Sequence, residues 1–592
     1  MKYLSVLTYL VSSGYALVFS GAVQAQEGAK SPTVRTSATV AKGAKSAPAK
    51  PVLASANEAP EEFLYEYLLS EIASQRGQVP RAFRTILELA QRTGDPRLAR
   101  RAVEIAFQAG QMDDAREATV LWLELEPGAS IARQVLGRMA GNDLEASQAA
   151  FSRWLVAPGK APVLFLQAPA LFSRFADKAK NLAAVRELAK PYPRIPEAHY
   201  AVAQSALFAG ENAAALVAID EALRLKPGWS QAVILKAQIL REAKSDSAEL
   251  NALNYLQNFL KSHPGANDVR LIYARLLVAQ KSYLSAREEF RKIDLDNSQK
   301  KTPDPESSYA IALISQQIED YAEAEKQFLR TLDAKPRDSN PVFFNLGLVA
   351  EAKKDNDAAI GWFRRVGAGE YFVTAKLRTA SLLAKRDGIE AGRKYLRDAQ
   401  IAEESPEIRT QLILAEAQLL RDAKAFREAF QLLDEAVKQT PNSAELLYDR
   451  AMVAEKINKL DVLEADLTRV IELKPDYAHA YNALGYTLAE RNKRLDEAYE
   501  LIQKAVKLAP DDPFIQDSLG WVQFRMSRID DALATLKKAY KTRRDPEIAA
   551  HLGEVLWAAG QREEAQKIWR EALLESPGHD ALASLIEKHA PK

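Results

Sequence analysis

The chain contains no cysteine. That removes disulfides, thiolate zinc sites, iron–sulfur clusters and cysteine nucleophiles. It says little about compartment, because a protein of this size can be stable without disulfides. An excess of charge is also missing: 80 Lys+Arg stand against 79 Asp+Glu, for a net of +1. A general nucleic-acid binder carries a basic excess and a disordered acidic chain an acidic one, so neither class fits. Catalytic signatures are missing too. There is no GxSxG, no HExxH and no Walker A glycine loop. The six histidines (His199, His263, His479, His551, His579, His589) are isolated in sequence. None has a neighbour at metal-ligand spacing, and a lone His on a helix is usually a packing or surface residue. No enzyme activity, cofactor or metal is expected.

Long apolar runs are confined to the first residues. Lys2 precedes an apolar stretch from Leu4 to Phe19, and Val23-Gln24-Ala25 places small residues where a signal peptidase reads. Residues 1–25 therefore read as an export signal cleaved after Ala25, with an uncleaved anchor helix as the alternative. Phe19-Ser20-Gly21-Ala22 resembles a lipoprotein signal, except that Ala22 occupies the place of the lipidated cysteine. No lipid anchor is expected. Residues 26–60 are rich in Ala, with Pro32, Pro48, Pro51 and Pro60 and scattered lysines, and without aromatics. Such a segment buries too little apolar area to offset its ordering entropy and reads as a disordered linker. It would span roughly 30–35 Å on average.

What the chain does have is a repeat. Pro441, Pro475 and Pro510 lie 34 and 35 residues apart, and Pro577 follows 67 later. Leu-Gly pairs recur at Leu484-Gly485, Leu519-Gly520 and Leu552-Gly553. Behind them run Ala498, Ile502 and Ala505; Ala532, Leu536 and Ala539; and Ala565, Trp569 and Ala572. Small residues sit where two helices touch, a large one fills the space beside them, and proline disfavours continuation of the second helix. A period near 34 with this pattern resembles the tetratricopeptide repeat (TPR). The fold class expected is all-α: a right-handed superhelical solenoid of TPR-like helix pairs, about 15 of them between residues 61 and 577. Residues 61–195 read as degenerate pairs and 196–440 as TPR-like repeats. Residues 441–577 read as well-matched repeats and 578–592 as a capping helix. The stretch from 129 to 196 is the least regular, with Pro158, Pro162, Pro169, Pro191, Pro193 and Pro196. A chain of 592 residues is too long for one compact core, but a quasi-linear stack has no such limit.

In a TPR array the first helices of successive pairs line a concave groove. Repeat geometry puts Tyr448 and Met452 there, then His479, Asn482 and Tyr486. Phe514, Asp517, Trp521 and Arg525 follow, and then Glu547, Glu554 and Trp557. Aromatic bodies with polar tips, plus an arginine, suit an extended peptide or a partner helix. The alternative leaves Trp521 and Trp557 in the core between repeats. Asn345 and Asn482 lack the lysines with which some TPR proteins clamp a chain's carboxyl end. On the groove reading, Trp521→Ala and Tyr486→Ala weaken partner binding without lowering the melting temperature. Gly520→Leu destabilises by holding paired helices apart.

The run is distinctive beyond a generic repeat. Residues 481–490 read YNALGYTLAE, 517–524 DSLGWVQF and 545–557 DPEIAAHLGEVLW. Near the start, 64–77 read LYEYLLSEIASQRG and 93–106 TGDPRLARRAVEIA. Over nearly the whole mature chain this resembles the long envelope TPR proteins of Gram-negative bacteria. These include outer-membrane lipoproteins that act as adaptors for carboxy-terminal processing proteases. The resemblance implies a periplasmic scaffold whose superhelix holds cargo, typically cell-wall hydrolases. It also implies that residues 61–76 form the helix that recruits the protease. Ala22 is the departure, and it removes the lipid tether. A scaffold for exopolysaccharide or outer-membrane export is the alternative use of such an array. Proteins, not nucleic acid, are the expected partners.

Overall fold

The computed structural model describes residues 60–299 and 304–589, apart from 244 and 246. The expected export signal, Ala22 and the linker lie outside the described residues. Among the described residues there are 31 helices and no strand. Successive helices run as neighbours joined by short turns. None is long and apolar enough to cross a membrane. The chain divides into two compact units, residues 1–335 and 336–592.

The pairs of the second unit show why the sequence folds this way. Ala444–Lys456 is followed by Leu460–Leu473, and Ala478–Glu490 by Leu495–Leu508. Pro513–Arg525 is followed by Ile529–Thr542, and Pro546–Ala558 by Arg562–Glu575. Ser443, Asp512 and Asp545 cap the first helices. The Asp512 carboxylate accepts from the backbone N–H of Phe514 at 2.9 Å and of Ile515 at 3.2 Å. Pro513 and Pro546 start their helices where no amide donor is needed. Between the helices of each pair the chain turns through a left-handed residue: Asn458, Asn492, Ser527, then Gly560. These are 34, 35 and 33 residues apart, so the backbone keeps the period even where the residue type changes.

The second helices bury their small residues. Ala498, Ala532 and Ala565 are fully buried, as are Ile502, Leu536 and Trp569. The glycines of the Leu-Gly pairs are where the helices touch. A Cβ on Gly520 would stand 2.5 Å from Leu536 Cγ, and one on Gly553 would overlap the Trp569 indole. That contact is the physical ground for expecting Gly520→Leu to destabilise. At the chain's end Asp580–Lys588 buries Leu582 against the last pair.

In the first unit the irregular stretch forms four short helices: Ser130–Ala140, Leu144–Leu155, Ala161–Phe172 and Lys178–Ala189. Pro169 stands inside the third. That helix packs more extensively on Pro196–Phe208 than on Lys178–Ala189, its neighbour in sequence. The proline-rich turn after Lys178–Ala189 carries Tyr192 onto Phe165, with ring centres 5.4 Å apart. The first helix of the unit, Pro60–Gln75, is held by Phe63, Ser70 and Ala73, all buried. The Ser70 hydroxyl donates to the Ala82 carbonyl at 2.8 Å.

Candidate functional site

The residues expected to line the groove fall on the first helices of the second unit, and the structure sorts them into two kinds. Tyr448, Met452, Asn482, Tyr486, Arg525 and Trp557 are half-buried, and Phe514 is 38% exposed. Trp521 and Asp517 are 4% and 6% exposed. This corrects the expectation that Trp521 stands free in the groove. The reason is His551, on the first helix of the next pair. Its ring stacks on the Trp521 indole at 4.3 Å, and its Nδ1 lies 2.8 Å from Asp517 Oδ2. On its other side Trp521 Nε1 donates to Glu490 at 2.7 Å. His551 Nε2 is 3.5 Å from the Tyr486 hydroxyl. One cluster thus ties together Ala478–Glu490, Pro513–Arg525 and Pro546–Ala558.

The electrostatics follow from this packing. Burial lowers the affinity of His551 for its proton. The charge and hydrogen bond of Asp517, with the charges of Glu490 and Glu554, outweigh that, so its pKa rises above the usual imidazole value. The Tyr486 phenol is pushed well above its usual range, first by burial, then by Glu490, Asp517, Glu547 and Glu455. Those four carboxylates come from four consecutive first helices. Tyr448 is pushed up to about 12, chiefly by burial. It meets Tyr477 edge-on at 5.3 Å.

The remaining positions are more open. The Arg543 guanidinium lies 4.8 Å above the Phe514 ring. Arg525 sits 5.9 Å from Trp521, and Arg562 5.3 Å from Trp557. Trp557 also stacks on Trp569 at 6.0 Å and meets His589 at 4.4 Å. It is therefore both inter-repeat packing and part of the surface. His479 is exposed, with Asp512 3.9 Å away. Among the described residues no three His, Asp or Glu side chains come together to hold a metal ion.

His551 is the residue that sequence reasoning missed. A signal was there. It lies 34 residues after Asp517, and Trp521 lies 35 after Tyr486, so each pair is one repeat apart on adjacent helices. Treating the histidines as isolated in sequence hid that relation.

Tetratricopeptide repeat family models match residues 523–588 and, in a second form, residues 251–300, 309–371 and 448–513. A TPR repeat-containing protein of Pseudomonas aeruginosa is 34% identical over 497 residues, which is 83% of this chain and 82% of that protein. The mitochondrial import receptor subunit TOM70 of Rattus norvegicus is 26% identical over 173 residues, covering 27% of this chain and 28% of the receptor. Among solved structures, a thermophilic TPR protein of Thermus thermophilus aligns at 23% identity with a TM-score of 0.28. The alignment covers 30% of this chain and 97% of that one. MamA of Desulfovibrio magneticus aligns at 18% with a TM-score of 0.25, covering 29% and 96%.

Proposed function

This chain belongs to the tetratricopeptide repeat proteins, and on that premise we propose that it is an adaptor of the bacterial envelope. In this reading it holds a cell-wall hydrolase along its repeats and delivers it to a carboxy-terminal processing protease. Proteins of this family are in general non-catalytic scaffolds for other proteins. The observation that carries the finer reading is the outer face of the Pro60–Gln75 helix. Leu64, Tyr65, Leu68 and Ile72 are 54%, 67%, 48% and 46% exposed. They follow at intervals of one, three and four residues, so they form one stripe. The opposite side of the same helix is anchored by Phe63 and Ala73. A helix that is apolar on two sides while packed on one presents the second for docking. Burying a large aliphatic or aromatic side chain is worth about 1.5–3 kcal/mol, so four of them can hold a partner. This is the segment that the family resemblance makes the protease-recruiting helix, and the export signal read at residues 1–25 supports the envelope placement.

The test is co-elution of the purified mature chain with the carboxy-terminal processing protease of the same organism. A stable complex is expected, lost in a Leu68→Ser/Ile72→Ser variant that keeps its helical circular dichroism. No complex, or a complex indifferent to both substitutions, overturns the protease reading.

A further inference from the structure

The least regular stretch of the first unit leaves a groove. Leu144–Leu155 and Lys178–Ala189 are the second helices of two successive pairs, and each touches its neighbours sparingly. Between them, and beside the proline-rich turn that follows, lies a groove of about 520 Å³. Because second helices form it, it lies on the other side of the pairs from the face lined by first helices. Its apolar part is Leu188, Val156, Pro191 and Tyr192. Val156 is 75% exposed, and Tyr192 is half-buried and fixed by its edge contact with Phe165. Glu145 and Glu187 line the groove from the two helices, and both are exposed. Glu145 makes no ion pair among the described residues. Glu187 meets only Lys190, just past the end of its own helix, at 3.8 Å.

A segment that suits this groove stands in the same chain, outside the described residues. Residues 42–51 read KGAKSAPAKP. Three lysines without a carboxylate complement Glu145 and Glu187. Pro48 and Pro51 are three residues apart, and a polyproline II turn of three residues would put both rings on one side. A segment of that kind gives up little further chain entropy on docking and suits an apolar groove with an aromatic wall. It also has the reach. Pro51 and Lys42 lie 9 and 18 residues before Pro60, spans of about 30 and 60 Å when extended. The groove is two to three pairs along from Pro60–Gln75, roughly 30 Å at about 8–10 Å between packed helices. Helices joined by short turns alternate in direction. Val156 and Tyr192, just past the ends of second helices, therefore lie at the same end of the pairs as Pro60, the start of a first helix. Tethering holds the segment at an effective concentration in the millimolar range, so a weak contact suffices.

We propose that this groove is the docking site of the chain's own residues 42–51, which strap Leu144–Leu155 to Lys178–Ala189. Pro48 and Pro51 lie against Val156 and Tyr192, and the lysines meet Glu145 and Glu187. The proposal is independent of the protease reading.

Limited trypsin digestion of the full mature chain tests it. The readout is cutting after Lys42 and Lys45, with Lys30 and Arg35 as internal controls in the same molecule. Docking shields Lys42 and Lys45. Glu145→Lys/Glu187→Lys should speed cutting there at least about threefold and leave Lys30 and Arg35 unchanged. Pro48→Ala/Pro51→Ala alters no residue of the repeats and should do the same. An unchanged rate at Lys42 and Lys45 in either variant overturns the proposal. Protection that falls as the protein is diluted, with dimers seen by light scattering, places a second copy in the groove and overturns it as well.

Discussion

Trp521 shows how one residue changes role with its neighbours. Its repeat position points it toward the groove, yet His551 covers one side and Glu490 takes its N–H. Trp521→Ala is therefore expected to destabilise the second unit by about 3–5 kcal/mol, the range for removing a buried tryptophan. Urea unfolding followed by circular dichroism measures this, and an unchanged midpoint would restore the groove reading of that residue. His551 carries a second prediction. Its folded-state pKa lies above the ordinary value of 6.5. A raised basic pKa gives stability that is complete below the unfolded value and lost as pH rises through the folded one. The melting midpoint of wild type should fall as pH rises above the ordinary imidazole value of about 6.5, and His551→Gln should remove part of that slope. A slope identical in wild type and variant would show that the ionised ring contributes nothing.

At the scale of one helix, the ends carry as much information as the faces. Pro513–Arg525 begins with a carboxylate cap that satisfies two amides, followed by a proline that needs none. Asp512→Ala should cost about 1 kcal/mol, while Asp512→Asn should cost less, because the amide oxygen still accepts. Comparative thermal melts decide this, and equal losses in the two variants would place the effect in charge rather than capping. The Pro60–Gln75 helix illustrates the opposite situation. Its apolar residues surround it, so sequence periodicity alone does not say which face is covered. The packing does: Phe63 and Ala73 face the next helix, and Leu64, Tyr65, Leu68 and Ile72 do not.

For the molecule as a whole, each compact unit is a stack in which a helix contacts its near neighbours in sequence. Stability in such a stack is a sum of local terms, and an exposed end loosens first. Removing residues 578–592 deletes the helix that buries Leu582 and withdraws His589 from Trp557 and Trp569. Hydrogen exchange should then rise in Arg562–Glu575 and leave the Ala444–Lys456 and Leu460–Leu473 pair unchanged. A loss of protection spread evenly through the unit would show that it unfolds as one block.

The sequence by itself determined the all-α class, the period and the positions where helices touch. Close packing tolerates only small side chains there, so the requirement is written at fixed intervals as Gly520, Gly553, Ala498 and Ala532. The first helices were also legible as the carriers of the candidate site, since repeat geometry fixes which way a position points. Direction is not exposure, however. Whether Trp521 meets a partner or a histidine depends on a residue 30 positions later, brought alongside only by the pairing of adjacent repeats. The groove between Leu144–Leu155 and Lys178–Ala189 is of the same kind. A space left between helices is a property of three-dimensional packing, and only the tertiary structure decides it.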